Sequence, residues 1–282
     1  MNKKLRYTAL TTLTLAGSLL LTKSLDVRLK THYKQIKHTS IQSEVRIAFL
    51  SDLHGNTYGK GYKHLIQPLK QARPDIILLG GDIFDCTRHH ANSWNFLMQL
   101  SKLYAKRIYM VKGNHEVAKG FNHLEMRMLE KLGIQLVGNR TVNILINQQH
   151  LVLTGLDDHE DWYHTLSDLQ SSHTDNTQAY HILLAHRPSH IKEYLQGNYN
   201  LILAGHTHGG QVRIPYLLNG LYTTDQGWLP KYAGGWYDFE DAQNHNRTQL
   251  LVGRGLTYIP RKLPRIFNPT ELHIIDLEPS TK

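Results

Sequence analysis

Five short apolar runs in this chain each end at a side chain able to bind a metal. Val45–Leu50 leads into SDLH at 51–54, Ile76–Leu79 into GGDIFD at 80–85, and residues 108–111 into GNHE at 113–116. Residues 181–184 lead into AHRP at 185–188, and residues 201–203 into GHTHGGQ at 205–211. A branched apolar run of this length that stops at glycine or a small polar residue reads as a buried strand. Helical spacing over 61–71 and 94–104 separates the first three runs, giving a βαβαβ order, and 124–132 reads as a further helix. Strands that deliver functional groups from their carboxyl-terminal tips belong to an open α/β sheet. Residues 141–146 and 151–155 read as a hairpin around Asn147-Gln148-Gln149, which begins a second sheet. A helix is expected over 189–196, and strands at 249–252 and 271–277 are expected to close that second sheet. Between them, residues 209–247 read as loop-rich and aromatic.

The five motifs supply Asp52, His54, Asp82, Asn114, His186, His206 and His208. Seven nitrogen and oxygen donors without a cysteine suit two neighbouring divalent transition metals, with Mn, Fe and Zn all compatible. Asp82 follows a glycine pair that allows close backbone approach, which makes it the expected bridge. Asp52, His54 and His208 complete the first metal's set, and Asn114, His186 and His206 the second's. Two metals sharing a hydroxide form a nucleophile at neutral pH and clamp phosphate oxygens, so the set points to phosphoester hydrolysis. His115 follows a ligand but takes no metal in this scheme, and is the candidate to contact phosphate and protonate the leaving alkoxide. Asp85 is read either as a partner orienting a histidine ligand or as a helix cap, and Glu116 receives no firm part. Any one histidine among nineteen would be an ordinary residue; their order in the motifs reverses that. Fourteen lie outside the motifs and are assigned no function, with His159, beside Asp157-Asp158, the first to reconsider. The single cysteine, Cys86, excludes an intramolecular disulfide and reads as a small buried filler.

With these blocks the chain resembles the calcineurin-like metallophosphoesterase superfamily, through Asp52-Leu53-His54, GDIFD at 81–85, GNHE at 113–116, His186 and GHTH at 205–208. The resemblance spans about residues 45–277 and implies an α/β fold: a four-layer α/β/β/α sandwich of two packed mixed sheets, with a dinuclear centre at the strand ends. GHTHGGQVRIP and the later RGLTYIPRKLPRIFNPTEL look like the bacterial membrane-associated phosphodiesterase branch. That branch includes enzymes that cleave the pyrophosphate of UDP-diacylglucosamine.

Three segments are expected: an N-terminal anchor or uncleaved signal at 1–23, a linker at 24–44 and the phosphoesterase domain at 45–279. Lys3, Lys4 and Arg6 precede a weakly polar to apolar stretch at 7–22 that ends at Lys23, which favours a retained single-pass membrane anchor over a cleaved signal or an amphipathic tail. The compact basic cluster at the start places the catalytic body on the extracytoplasmic side. A net charge of +9 favours an acidic partner, and the spacing of Lys23, Arg28, Lys30, Lys34 and Lys37 is juxtamembrane in character, with no nucleic-acid motif. The expected substrate is therefore a membrane or envelope phosphodiester, with a pyrophosphate in a nucleotide-linked lipid as the alternative. A protein-phosphatase or nuclease pocket would keep the same metals. A non-catalytic membrane-tethered scaffold predicts missing ligands, whereas all are present. Trp228, Tyr232, Trp236, Tyr237 and Phe239, with Arg254, Arg261, Lys262 and Arg265, are read either as an amphipathic lid or as ordinary packing and solvated charge.

Overall fold

The computed structural model describes residue 18 and residues 20–87, 90–171, 179–240, 247–259 and 263–280. The strands are β1 (Lys30–His38), β2 (Val45–Leu50), β3 (Ile76–Leu79), β4 (Ile108–Met110), β5 (Ile134–Leu136), β6 (Arg140–Ile146) and β7 (Gln149–Gly155). They continue with β8 (Tyr180–Leu184), β9 (Leu201–Ala204), β10 (Tyr222–Thr223), β11 (Gly227–Trp228), β12 (Gly235–Glu240), β13 (Arg247–Val252) and β14 (Glu271–Pro279). The helices are α1 (Lys63–Ala72), α2 (Ala91–Tyr104), α3 (Asn114–Lys119), α4 (His123–Lys131), α5 (Trp162–Ser171) and α6 (Ile191–Tyr194).

Two six-stranded mixed sheets form, in the orders β1-β14-β2-β3-β4-β5 and β12-β13-β9-β8-β7-β6. Their facing side chains, among them Ile47, Phe49, Leu78, Leu153, Ile182, Leu203 and Leu251, make one apolar layer. The opposite face of the first sheet packs Ala48, Leu50 and Ile77 against Leu65 and Leu69 of α1 and Phe96 and Leu100 of α2. The opposite face of the second packs Leu183, Ile202 and Leu250 against Leu166 of α5 and Ile191 and Tyr194 of α6. The result is the expected α/β/β/α sandwich. Apolar residues on both sides of β2, β3, β8 and β9 explain why these strands read as continuous hydrophobic runs.

Two expectations fail on strand placement. The polar segment at 24–44, expected as a linker, contributes β1, which pairs in parallel with β14 from Lys30↔Glu271 to His38↔Pro279. An edge strand buries little, and in KTHYKQIKH only Ile36 is buried, so the pairing rests on backbone hydrogen bonds. The last strand, expected to close the second sheet, lies in the first, antiparallel to β2. Cross-strand partners Arg46 and Asp276 form an ion pair with Nε 2.5 Å from Oδ1, while Ile274 and Ile275 enter opposite apolar layers. The expected anchor at 7–22 falls almost wholly outside the described residues. Among these, no helix is long and apolar enough to cross a membrane.

Candidate dinuclear metal centre

Three of the motifs turn sharply where their strands end. Asp52, His54, Asp82, His206 and His208 all have φ between 47° and 69°, a left-handed conformation that costs a non-glycine residue energy. The surroundings hold them there. Asp52 N–H donates to Gly81 C=O at 3.0 Å, His54 N–H to Asp82 C=O at 3.0 Å, and His206 N–H to Asp52 Oδ1 at 3.0 Å. Glycines let the loops interlock: a Cβ at Gly113 would collide with the Asp82 carboxylate, and one at Gly205 would lie 2.5 Å from Asp52 Oδ2.

The seven predicted donors converge. His54 Nε2 lies 3.3 Å from His208 Nε2, and His208 Nε2 lies 3.5 Å from Asp52 Oδ1. On the other side His186 Nε2 lies 3.2 Å from His206 Nδ1 and 3.2 Å from Asn114 Oδ1. Asp82 stands between the two groups, with Oδ2 3.3 Å from His186 Nε2 and 3.5 Å from His54 Nε2. The Asp52–His54–His208 and Asp82–His186–His206 groups are each tight enough to hold an ion.

The donor set fits metal ions. His186 Nδ1 lies 2.8 Å from Gly80 C=O, to which it donates, so Nε2 carries the lone pair in the neutral ring. His54 Nδ1 similarly faces Asp85 Oδ2 at 3.4 Å, leaving Nε2 for the cluster. Asp85 thus takes the orienting place; its other oxygen accepts Thr87 N–H at 2.8 Å in a local turn, not a helix cap. Converging imidazole nitrogens and carboxylate oxygens are the donor types that divalent transition metals take. Without metal, burial opposes charge on His186, but the Asp82 and Asp52 carboxylates push its pKa up to about 10. Burial, followed by repulsion from charged neighbours, lowers His206 to about 3.

His115 lies beside the cluster, with Nε2 4.0 Å from Asp82 Oδ2. Its Nδ1 accepts Cys86 N–H at 3.2 Å, which places the ring proton on Nε2. Cys86 itself is exposed, contrary to the buried filler expected, because only its backbone engages the site. A cavity of about 450 Å³ opens onto the cluster, walled by His115, Arg187, Tyr222, Ile259, Leu263 and Arg265 among others.

Three residues outside the predicted set matter. Glu116 is fully buried and accepts N–H bonds from Asp82, Phe84 and Gly113 at 2.8, 2.9 and 2.9 Å, stitching two ligand loops together. Its place in GNHE marked it, but its partners are backbone groups that no motif displays. Thr224 Oγ1 lies 3.2 Å and the buried Asp225 Oδ1 3.8 Å from His206 Nε2, on the ring nitrogen opposite the one that meets His186. Neither carried a sequence signal beyond residue type. His159 stays outside the site, accepting Asp161 N–H on Nδ1 at the start of α5. The aromatic group is mostly packing: Tyr232, Tyr237 and Phe239 pack on the outer layer of the second sheet and Trp236 on the layer between the sheets. Trp228 is exposed, against the cavity residue Tyr222. Arg254 is buried in an ion pair with Glu271, while Arg261 and Lys262 fall outside the described residues.

The calcineurin-like phosphoesterase family model matches residues 45–210, which contain all seven donors and His115. The chain belongs to the calcineurin-like phosphoesterase family. Among relatives of this family, an uncharacterized metallophosphoesterase of Bacillus subtilis (strain 168), YkoQ, is 31% identical over 178 residues, covering 62% of this chain and 64% of YkoQ. The phosphodiesterase YaeI of Escherichia coli (strain K12) is 29% identical over 184 residues, covering 60% of this chain and 63% of YaeI. These matches thus span less than two thirds of either relative. The NAD nucleotidase NadN of Haemophilus influenzae shares the fold at a TM-score of 0.53 and 16% identity, over 77% of this chain and 46% of NadN.

Proposed function

We propose that this calcineurin-like phosphoesterase is a dinuclear-metal-dependent phosphodiesterase, a hydrolase of phosphoric esters. The observation that carries the reading is the position of Asp82 Oδ2, 3.3 Å from His186 Nε2 and 3.5 Å from His54 Nε2, between two sets of donors. When bound, two divalent cations of the Mn, Fe or Zn type supply Lewis acidity and a nucleophile formed from water at neutral pH. Asp52, His54 and His208 would hold one, Asn114, His186 and His206 the other, and Asp82 both. Asp85 and the Gly80 carbonyl orient His54 and His186 so that Nε2 of each faces inward. His115, holding its proton on Nε2, is placed to donate it to the departing alkoxide.

The finer substrate reading is a membrane or envelope phosphodiester. Tyr222, Ile259 and Leu263 on the cavity wall favour an apolar group attached to the phosphate, and the exposed Trp228 packs against Tyr222. The apolar segment at 7–22, between Lys3, Lys4 and Arg6 and Lys23, supports a membrane setting with the catalytic body on the extracytoplasmic side.

The test is hydrolysis of bis(p-nitrophenyl) phosphate against its monoester by protein stripped of metal and then supplied with Mn²⁺, Fe²⁺ or Zn²⁺. Metal-dependent diester cleavage that disappears in Asp82→Ala is the expected result. Folded, metal-loaded protein that cleaves no diester would overturn the reading.

A further inference from the structure

The acidic pair after β7 reaches two of the ligand loops. Asp157 Oδ1 accepts Lys112 N–H at 2.7 Å, its Oδ2 lies 2.9 Å from Lys112 Nζ, and Asp158 N–H donates to Lys112 C=O at 2.9 Å. Lys112 directly precedes the Gly113-Asn114 turn. Asp158 then reaches the next ligand loop, where its Oδ2 accepts from Arg187 Nε at 2.7 Å. Arg187 directly follows His186. The Asp157-Asp158 pair therefore links the loops that deliver Asn114 and His186, and fixes a guanidinium beside both.

That guanidinium lines the cavity with Asn114, His115 and His206. Arg265, the other arginine on the wall, is committed to the fold: Nη1 donates to Asn268 C=O at 3.3 Å and Nη2 to Arg254 C=O at 2.6 Å. Among the described residues, the Arg187 side chain makes its hydrogen bond through Nε alone, so its two Nη groups remain for a ligand. A guanidinium fork matches the spacing of two phosphoryl oxygens, and a carboxylate behind it removes much of the rotamer freedom that binding would otherwise freeze.

Resting on the phosphodiesterase reading, we propose that Arg187, positioned by Asp158, binds the non-bridging oxygens of the substrate phosphoryl group on the side of the cavity where Asn114 and His206 gather. A phosphodiester carries one negative charge over those two oxygens, and a fixed fork both orients the group and offsets the charge that grows on it during attack. Asp158 is a positioning residue and makes no contact with substrate.

The experiment is calorimetric titration of inorganic phosphate into full-length, metal-loaded protein and its Arg187→Ala, Arg187→Lys and Asp158→Asn variants, with metal content measured on each sample. Arg187→Ala should weaken phosphate binding by roughly 10-fold to 100-fold, as expected for loss of charge-assisted hydrogen bonds, with metal content unchanged. Arg187→Lys and Asp158→Asn should lie between it and wild type, and in ester assays KM should rise more than kcat falls. Phosphate affinity equal to wild type in Arg187→Ala or, should that variant not fold, in Arg187→Lys would overturn the proposal. So would metal loss that accounts for the weaker binding. Turnover does not enter the titration, so a failed esterase reading would show separately, as arginine-dependent phosphate binding without hydrolysis.

Discussion

The Glu116 carboxylate accepts the backbone N–H of Asp82 at 2.8 Å, tying the residue between the two metal groups to the first turn of α3. The same oxygen accepts Gly113 N–H at 2.9 Å, and its twin accepts Phe84 N–H at 2.9 Å. In Glu116→Gln the amide NH2 must face at least one of these buried donors. The expected loss is about 1–3 kcal/mol of stability, with weaker metal binding, read from denaturant midpoints and metal titration.

Asp82 separates itself from the other donors by serving both groups. Asp82→Ala should lower bound metal from two ions towards none and weaken affinity by more than the roughly 10–100-fold typical of residues that merely orient ligands. Asn114→Ala should reduce chiefly the second site. Elemental analysis after equilibrium dialysis distinguishes the two.

Metal loading should release protons. In the metal-free protein His186 is raised to about 10, so at neutral pH its ring is charged and must lose a proton to become a ligand. The apparent metal affinity should therefore rise with pH through the neutral range. Calorimetric heats measured in buffers of different ionisation enthalpy should report the release, and His186→Ala should reduce it.

His115 touches the site without belonging to either donor set. His115→Ala should leave metal content close to wild type and cut turnover by about 10²–10⁴-fold, the usual contribution of a positioned acid. A leaving group that needs no protonation should recover much of that loss.

Acid sensitivity is expected away from the metals. Burial disfavours charge on Glu271, but His273 Nε2 at 3.0 Å, His32 Nε2 at 3.4 Å and Arg254 Nε at 3.1 Å hold its pKa well below the ordinary glutamate value of 4.5. A depressed carboxyl contributes stability that is fully present above its unfolded value and lost as pH falls through its folded value. Urea midpoints should therefore decline as pH drops below about 4.5, and Glu271→Gln should lower the neutral-pH midpoint while flattening that decline.

The donors were legible because metal chemistry restricts residue type, and because each sits where an apolar run breaks. The two sheets were legible for the same reason: β2, β3, β8 and β9 are apolar on both faces. Sheet membership was less so, since the pattern of Glu271–Pro279 shows two buried faces but not its neighbour, which the Arg46–Asp276 pair helps define. The parts of Glu116, Asp158 and Arg187 depend on backbone groups or partners that sequence spacing does not reveal. β1 escaped notice because its polar side chains reflect solvent on an edge, while its pairing is carried by the backbone.

That edge strand bears on how the chain can be matured. A cut after about residue 40 would remove β1 and bare the N–H and C=O groups that alternate residues of β14 turn towards it, a template for another chain to add itself. The lysines at 30, 34 and 37 guard the edge only while they remain attached. Proteolytic processing compatible with a soluble product must therefore stop short of Lys30, and a recombinant catalytic body begun downstream of β1 would self-associate through the strand it had exposed.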